Sequence, residues 1–138
     1  MNDFKGLYNV RDMMPEDKNF ILSTFLKGLY YGDSWFSVMP KFVFMDNYKG
    51  IAEMLISSPK HTVKVACLPD DPSVILGYSI LSSDFQGIDW VFVKSAWRNK
   101  GIGRSLLPHS PAYITHLTKT GLSLMSKFPT VIFNPFKI

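Results

Sequence analysis

The sequence predicts an α+β fold with a mixed, mostly antiparallel sheet flanked by helices. Two observations support this prediction. Two segments with helical periodicity come first, and three segments with the alternation of short strands follow them. The 138 residues are enough for one hydrophobic core and too few for two. We therefore expect residues 1–138 to form a single domain.

The N-terminal third predicts an edge strand and two helices. Residues 7–13 suit a short edge strand. Pro15 fits the first turn of a helix, and apolar residues recur at helical spacing after it, so we expect a helix over residues 15–31. Aromatic residues crowd a loop over residues 33–45, after which Asp46 can cap a short second helix. The rings of this loop suit either the core or a site for a flat or cationic acceptor.

After the second helix the pattern changes to the alternation of β-strands. We predict strands over residues 63–67, 74–81 and 88–93, joined by short polar turns that make neighbouring strands antiparallel. The single cysteine, Cys67, has no partner for a disulfide and is interpreted as a small buried residue of the first of these strands. The histidines show no zinc-binding spacing with it, so no metal site is predicted.

Charge is divided unevenly along the chain. Residues 1–89 carry eight basic and eleven acidic side chains, a balance of −3, whereas residues 90–138 carry seven basic side chains and no acidic one. A polyanionic ligand would be drawn to the second part. No nucleic-acid-binding motif accompanies this charge, so nucleic acid is not the favoured ligand. No apolar stretch long enough to span a membrane and no signal-peptide core are present, so we expect a cytoplasmic protein without a membrane partner.

Four basic residues surround a glycine turn that directly follows the third predicted strand. Gly101 and Gly103 allow a tight backbone turn and the close approach of a ligand. Amides that open the next helix have no partner within it, and together with the helix dipole they form an anion site. The spacing fits neither the nucleoside-triphosphate loop nor the dinucleotide fingerprint. The segment therefore predicts a pyrophosphate cradle. Its basic residues are Lys94, Arg98, Lys100 and Arg104.

Residues 98–103, with the sequence RNKGIG, resemble the coenzyme A signature of the Gcn5-related N-acetyltransferase (GNAT) family, R/Q-x-x-G-x-G/A after a strand that ends in valine. The order of elements and the pair Gly77-Tyr78 in the middle strand also resemble this family. The resemblance implies the acyl-coenzyme A N-acyltransferase fold, with acetyl-coenzyme A as cofactor. It implies an acetyl-coenzyme A-dependent N-acetyltransferase whose acceptor is an amine on a small molecule or a protein.

The resemblance also implies which residues form the coenzyme A site. In such proteins the strand before the turn separates from its neighbour and its backbone binds the pantetheine arm, while the amides of the turn hold the pyrophosphate. By this resemblance the site residues are Val91, Phe92, Val93, Arg98, Asn99, Lys100, Gly101, Ile102, Gly103, Arg104 and Ser105.

Beyond the cradle, two prolines interrupt the predicted helix, so it extends for at most two turns and the C-terminal part of the fold is shortened. We interpret residues 112–118 as the next strand, followed by a helix over residues 120–128 and a strand over residues 130–133. A second interpretation makes residues 114–128 one helix and ends the sheet with residues 130–134.

Acetyl transfer needs a base for the amine and an acid for the departing thiolate. The glutamate and tyrosine that many family members use are absent from the corresponding positions. The candidates that remain are Asp89, His116 and Tyr113, although Asp89 lies one position out of register with the family's glutamate. These absences favour a second hypothesis: a weakly active or inactive relative, similar in size to small members carried by bacteriophages. Such a protein would bind coenzyme A, a host protein or a second copy of itself.

Overall fold

The computed structural model describes residues 6–116 and 118–138, and they form one six-stranded sheet covered by helices on both faces. The strands are β1 (Asn9–Asp12), β2 (His61–Cys67), β3 (Ile75–Ser82), β4 (Gly87–Val93), β5 (Tyr113–Ile114) and β6 (Ile132–Phe133). The helices are α1 (Lys18–Gly32), α2 (Lys41–Ser57), α3 (Ile102–Leu106) and α4 (Lys119–Lys127).

The six strands lie side by side in chain order. Strands β1 to β4 are antiparallel to their neighbours, as their short connections require, whereas β5 and β6 are parallel to the strands before them. The predicted mixed, mostly antiparallel sheet is therefore confirmed. Cys67 is a buried free cysteine at the end of β2, as the sequence predicts.

The main core lies between the sheet and helices α1 and α2. Alternate residues of the strands, such as Val65 of β2 and Tyr78 of β3, point to this face and meet Phe25, Leu29 and other apolar residues of α1. Full burial of an apolar side chain of this size stabilises the fold by about 1.5–3 kcal/mol. Smaller clusters under α3 and near α4 cover the opposite face. This layered packing fixes β4 between the two helical layers.

The first helix and the edge strand agree with the sequence-based prediction, but the second helix differs from it. Helix α2 begins at Lys41 after Pro40 and has 17 residues, so the prediction of a short helix capped by Asp46 is wrong. Phe44 explains the difference, because it lies one turn before Tyr48, stacks on that ring and extends the apolar face of α2 into the core. None of the helices in the described residues is long and apolar enough to cross a membrane.

The C-terminal part is short, as predicted, but its elements differ in detail. Helix α3 ends at Leu106, before the two prolines. Strand β5 has two residues instead of the seven predicted over 112–118, because the chain leaves the sheet after Ile114. Leu117 lies outside the described residues. Helix α4 begins at Lys119, so the alternative of one helix over residues 114–128 is wrong.

Candidate functional site

Strand β4 is paired as far as its Val93 end on one side only. Its pairing with β5 covers Gly87 and Ile88, and a further bond from the Thr115 N–H to the Ile88 carbonyl spans 3.2 Å. On the other side, β3 stays paired with β4 as far as Val93. Strand β4 therefore borders a gap along residues 89–93 while β3 holds it in place.

The main-chain groups of β4 alternate between β3 and this gap. The Lys94 N–H donates to the Leu76 carbonyl in β3 over 2.8 Å. Because hydrogen-bonded positions alternate along an antiparallel pair, the amide and carbonyl of Phe92 also point towards β3. Those of Val91 and Val93 then point the other way, into the gap. An extended ligand in the gap would meet the edge of a strand.

The glycine turn after β4 leads directly into α3. Gly101 is exposed and has a φ of 81°, a left-handed conformation that costs a non-glycine residue about 1–2 kcal/mol. Asn99 has a φ of 63°, which asparagine tolerates better than most residues. The first helical bond runs from the Ser105 N–H to the Gly101 carbonyl over 3.1 Å. Within the described part of the chain, the amides of residues 101–104 donate to no backbone carbonyl.

Tyr8 reaches this turn from the segment before β1. Its hydroxyl lies 2.6 Å from Ser105 Oγ and 3.2 Å from the Gly101 carbonyl oxygen, and Ser105 Oγ lies 3.0 Å from the same oxygen. These contacts occupy the carbonyl side of the turn, so the amide side stays available to a ligand. Tyr8 was not predicted to contact the turn, because 93 residues separate it from Gly101.

The basic side chains around the turn differ in what they contact. Arg98 Nε donates to the Val93 carbonyl over 3.2 Å and so helps to close the turn. Lys94 Nζ lies 5.3 Å from the centre of the Phe20 ring and lines a cavity of about 420 Å³ between the starts of α1 and β3. Arg104 is exposed. Basic side chains therefore flank the turn on more than one side.

Two of the predicted cofactor-binding residues have side chains that belong to the core. The Phe92 ring packs against Phe20 and Tyr78 with ring centres 6.1 and 5.4 Å apart. Ile102 is buried with Leu106 against the opposite face of the sheet. Both residues can offer only main-chain groups to a ligand.

A chain of buried polar side chains lies near the other end of β4. Asp89, which is 3% exposed, accepts hydrogen bonds from Thr115 Oγ1 over 2.8 Å and from His61 Nδ1 over 3.0 Å. Thr115 Oγ1 also lies 2.9 Å from His116 Nδ1, and His116 Nε2 is hydrogen-bonded to the Tyr48 hydroxyl. The five residues come from α2, β2, β4 and the segment after β5, and we call them the polar chain.

A β-bulge brings Asp89 into the polar chain. In the register of β3 with β4, Ile80 pairs with Trp90 and the next residue of β3 pairs with Ile88, so Asp89 is an extra residue without a partner in β3. Its carboxylate meets His61, whose strand alternation points it towards the face that α1 and α2 cover. From the sequence register alone, the Asp89 side chain could have faced the opposite side of the sheet. The bulge turns it to the face that α1 and α2 cover.

The hydrogen-bond directions assign the protons of the polar chain. The single hydroxyl proton of Thr115 goes to Asp89, so Thr115 Oγ1 can only accept from His116 Nδ1–H. Burial lowers the pKa of His116 to about 4, and the imidazole is therefore neutral at pH 7. Its Nε2 then accepts the proton of the Tyr48 hydroxyl. In the series of hydrogen bonds from Tyr48 through His116 and Thr115, every donor therefore points towards Asp89.

The surroundings shift the titration of both ends of the polar chain. Burial raises the pKa of Tyr48, and the negative charges of Asp89 and Asp33 raise it further, so the hydroxyl keeps its proton. Burial also raises the pKa of Asp89, against the hydrogen bonds from Thr115 and His61 that favour the charged carboxylate. The site therefore holds a carboxylate that accepts a proton more readily than an exposed aspartate.

His116 stands where the gap beside β4 begins. It follows Thr115, whose N–H still bonds to β4, and its ring lies among Phe25, Tyr48 and Trp90 at centre distances of 5.6, 5.9 and 6.3 Å. The indole Nε1 of Trp90 is buried and has no hydrogen-bond partner within the described residues. The gap and the polar chain are thus continuous at His116.

The structure brings Asp89 and His116 together but leaves Tyr113 apart from them. Tyr113 packs over Gly87, and Lys137 Nζ lies 5.0 Å from its ring centre. Tyr48 and His61 were missed because 68 and 28 residues separate them from their partners. One signal was available, since His61 shares the inward-facing alternation of the apolar residues of β2. Among the described residues, no three His, Cys, Asp or Glu side chains are grouped to hold a metal ion.

The fold is similar to that of solved acetyltransferase structures. A candidate acetyl transferase from Pyrococcus furiosus has a TM-score of 0.56 and 18% identity over 91% of this chain and 79% of its own. A candidate acetyltransferase from Clostridium difficile 630 has a TM-score of 0.50 and 18% identity over 72% of this chain and 66% of its own. A Corynebacterium glutamicum protein described as histone acetyltransferase HPA2 and related acetyltransferase has a TM-score of 0.51 and 15% identity, over 72% and 67% of the two chains.

No protein-family profile and no curated protein sequence matches the chain. At identities of 15–18%, the structural similarity establishes the fold and leaves the activity to be tested. The GNAT-type acetyltransferase fold that the glycine turn and the order of elements implied is confirmed.

Proposed function

We propose that the chain is an acetyl-coenzyme A-dependent N-acetyltransferase that acts on an amine. One observation carries the proposal: at the Val93 end of β4, main-chain groups that face a gap lead directly into the unpaired amides of residues 101–104. The solved structures with this fold support it, because they are described as acetyltransferases.

The two kinds of main-chain donor suit the two parts of coenzyme A. The pantetheine arm contains amide groups, which can pair with the Val91 and Val93 groups that face the gap as a neighbouring strand would. The pyrophosphate is a compact dianion, which suits the amides of residues 101–104 and the positive charge of Arg104. Gly103 leaves room for it, since the one described atom within 4 Å of an added Cβ there is Val93 Cγ2, at 3.9 Å.

Acetyl-coenzyme A supplies the acetyl group as a thioester. The protein must stabilise the negative charge that develops on the carbonyl oxygen and remove a proton from the attacking amine. A main-chain N–H that faces the gap can donate to the carbonyl oxygen. Asp89 and His116 are the proposed acid–base residues because the polar chain joins them beside the gap. Tyr113 has no place in this proposal because it packs over Gly87.

The connection between α1 and α2 is the proposed acceptor side. Tyr31, Trp35 and Phe42 are exposed there, so these rings are not used by the core. Asp33 is half-buried, and its carboxylate accepts hydrogen bonds from the amides of Trp35 and Phe36 over 2.8 and 3.2 Å. A carboxylate among exposed rings suits an acceptor that carries positive charge before it is deprotonated.

Two measurements test the proposal. Acetyl-coenzyme A at about 100 times its Kd should raise the free energy of unfolding by about 2.7 kcal/mol, which shifts the thermal midpoint by several degrees. ADP alone should give little shift. Release of free coenzyme A thiol should then depend on adding a primary amine from a panel of amino acids, polyamines and peptides. A protein that acetyl-coenzyme A does not stabilise would contradict the proposal.

A catalytically inactive binding protein is the alternative, and the exposed C-terminal edge favours it. Ile132 and Phe133 of the edge strand β6 are exposed, and Phe136 beyond them is 92% exposed. An unpaired strand edge with apolar side chains is a common docking surface for another chain. Stabilisation by acetyl-coenzyme A without thiol release for any amine would favour this alternative.

A further inference from the structure

We propose that Tyr48 is the entry point of a proton relay, in which it takes a proton from the acceptor amine and passes its own through His116 and Thr115 to Asp89. This inference rests on the proposed transferase activity and adds to it the groups that move the proton. In this relay, groups from other elements of the fold take the roles of the tyrosine and the glutamate that the sequence lacks at the expected positions.

The first reason is the continuity and direction of the hydrogen bonds. Tyr48 donates to His116, His116 donates to Thr115, and Thr115 donates to Asp89 over 2.8 Å. A proton that arrives on the Tyr48 oxygen can therefore push one proton along each bond, and none of the side chains has to rotate first. The second oxygen of Asp89 is held by His61 over 3.0 Å, which fixes the carboxylate at the end of the run.

The second reason is the difference in exposure along the polar chain. Asp89 and Thr115 are each 3% exposed and His116 is 8% exposed, so none of them presents much surface to an acceptor. Tyr48 is half-buried and carries the hydroxyl that begins the run. The His61 side chain, which also bonds Asp89, is only 4% exposed. Tyr48 is therefore the member of the polar chain that we assign to exchange a proton with the substrate.

The third reason is that the Tyr48 ring is held in place close to the gap. It stacks on the Phe44 ring with centres 5.3 Å apart and an interplanar angle of 6°, and Phe36 and Phe25 pack against it edge-on. Its hydrogen-bond partner His116 stands where β4 and β5 separate. The hydroxyl is therefore fixed beside the proposed position of the thioester.

The step balances without a further reactant. The nitrogen of the amine, already in its neutral form, forms a bond to the thioester carbon, and the bond from that carbon to sulfur breaks. The nitrogen loses one proton to the Tyr48 oxygen, and the relay ends with one more proton on Asp89. When the proton returns along the same bonds in reverse, Tyr48 gives a proton to the departing thiolate, which becomes the free thiol.

The relay has to be distinguished from a polar network that only stabilises the fold. Tyr48→Phe removes the hydroxyl and keeps the stacked ring. Tyr78→Phe is the matched control, because the Tyr78 hydroxyl is also buried and bonded, to Thr24 Oγ1 at 2.7 Å, but lies outside the polar chain. Thr115→Val is a second test variant, since it interrupts the run at its middle with a side chain of the same shape.

The experiment measures kcat and the KM for acetyl-coenzyme A with an amine that the wild-type protein accepts. We expect Tyr48→Phe and Thr115→Val each to lower kcat about 100-fold, with KM and the thermal shift by acetyl-coenzyme A unchanged. Tyr78→Phe should stay within about twofold of the wild type in kcat. The double variant Tyr48→Phe/Thr115→Val should be no slower than either single variant, because both interrupt one run.

Two results would overturn the relay and leave the proposed function standing: a kcat for Tyr48→Phe equal to that of Tyr78→Phe, or effects of the two test variants that multiply in the double variant. A wild-type protein that releases no thiol with any amine would overturn the proposed function and, with it, the reaction that the relay serves. Unchanged thermal shifts in the variants show that they fold and bind, so a loss of kcat cannot be attributed to unfolding.

Discussion

The two ends of strand β4 are built in different ways. At the Val93 end, the candidate ligand-binding groups are main-chain amides of consecutive residues that have no backbone acceptor in the described part of the chain. At the Gly87 end, the candidate proton-transfer groups are side chains from four different elements, and most of them are buried. Strand β4 thus connects a site made of consecutive residues to a site made of residues that are distant in the sequence.

The difference follows from the physical task of each end. A pyrophosphate is held by main-chain donors, which need only a glycine turn and access to the ligand. A proton relay needs groups that are shielded from water and fixed by packing, because hydrogen bonds are stronger in a medium of low dielectric constant. Mutations should therefore affect fold stability at the buried end and ligand affinity at the exposed end.

The largest stability effect should come from Asp89→Ala. The substitution leaves the buried donors of Thr115 and His61 without an acceptor, and we expect it to lower the free energy of unfolding by about 3–5 kcal/mol. Arg104→Ala at the exposed end should change it by less than about 0.5 kcal/mol. Urea denaturation at pH 7 measures both. If Asp89→Ala and Arg104→Ala lowered the free energy of unfolding by the same amount, the contrast between the two ends of β4 would be wrong.

Acid should destabilise the buried end through His116. Its pKa is about 4 in the folded protein and 6.5 when exposed, so the unfolded chain takes up the proton first as the pH falls. The contribution of the neutral ring is complete above pH 6.5 and is lost as the pH falls towards 4, a total of about 3 kcal/mol. Urea denaturation between pH 7.5 and 4.5 should show this decline.

His116→Gln is the control for the pH effect, because it leaves Asp89, the neighbouring group with a shifted pKa, in place. The raised pKa of Asp89 acts in the opposite direction, since the folded state then gains stability as that carboxylate is protonated. We expect the decline in the variant to be smaller than in the wild type by most of the His116 contribution. A decline of the same size in both proteins would show that His116 is not the group responsible.

At the exposed end, Gly101→Ala should destabilise the turn by about 1–2 kcal/mol, because alanine is strained at a φ of 81°. Gly50→Ala is the matched control. Gly50 lies within α2, and no atom of the described residues comes within 4 Å of an added Cβ, so alanine there should stabilise the helix by about 0.5–1 kcal/mol. Thermal denaturation should show the two variants moving in opposite directions. If Gly101→Ala left the thermal stability unchanged, that result would argue against a left-handed conformation at Gly101.

The smallest expected effect is that of Tyr8→Phe. It removes the hydroxyl that contacts Ser105 Oγ and the Gly101 carbonyl, a contribution of about 1 kcal/mol that we expect to appear as an approximately fivefold weaker affinity for acetyl-coenzyme A. The kcat should not change, because Tyr8 is remote from the polar chain. Isothermal titration calorimetry and steady-state kinetics separate the two quantities.

Contiguous features were predictable from the sequence, and features that depend on distant contacts were not. The glycine turn, the first helix and the antiparallel strands follow from local spacing. The first residues of α2 were predicted as part of the aromatic loop, because Phe44 shows no helical pattern until its packing partner Tyr48 is known. Likewise, β5 ends at Ile114 because Thr115 and His116 bond into the polar chain.

The candidate site shows the same division. The acid Asp89 was identified, but its orientation depends on a bulge that appears only when β3 and β4 are paired. Tyr48 and His61 carry no local motif, and each acquires its partner from an element elsewhere in the chain. Side-chain networks of this kind are therefore found from the structure, whereas a main-chain cradle can be found from the sequence.

The most direct test of the cradle is the binding of acetyl-coenzyme A to Gly103→Glu and to Gly50→Glu, measured by isothermal titration calorimetry. Both substitutions add the same charge at a glycine with space for a Cβ. We predict that Gly103→Glu loses binding, because its carboxylate occupies the proposed pyrophosphate position, and that Gly50→Glu binds as the wild type does. Equal affinity in the two variants would contradict the assignment of the pyrophosphate to this turn.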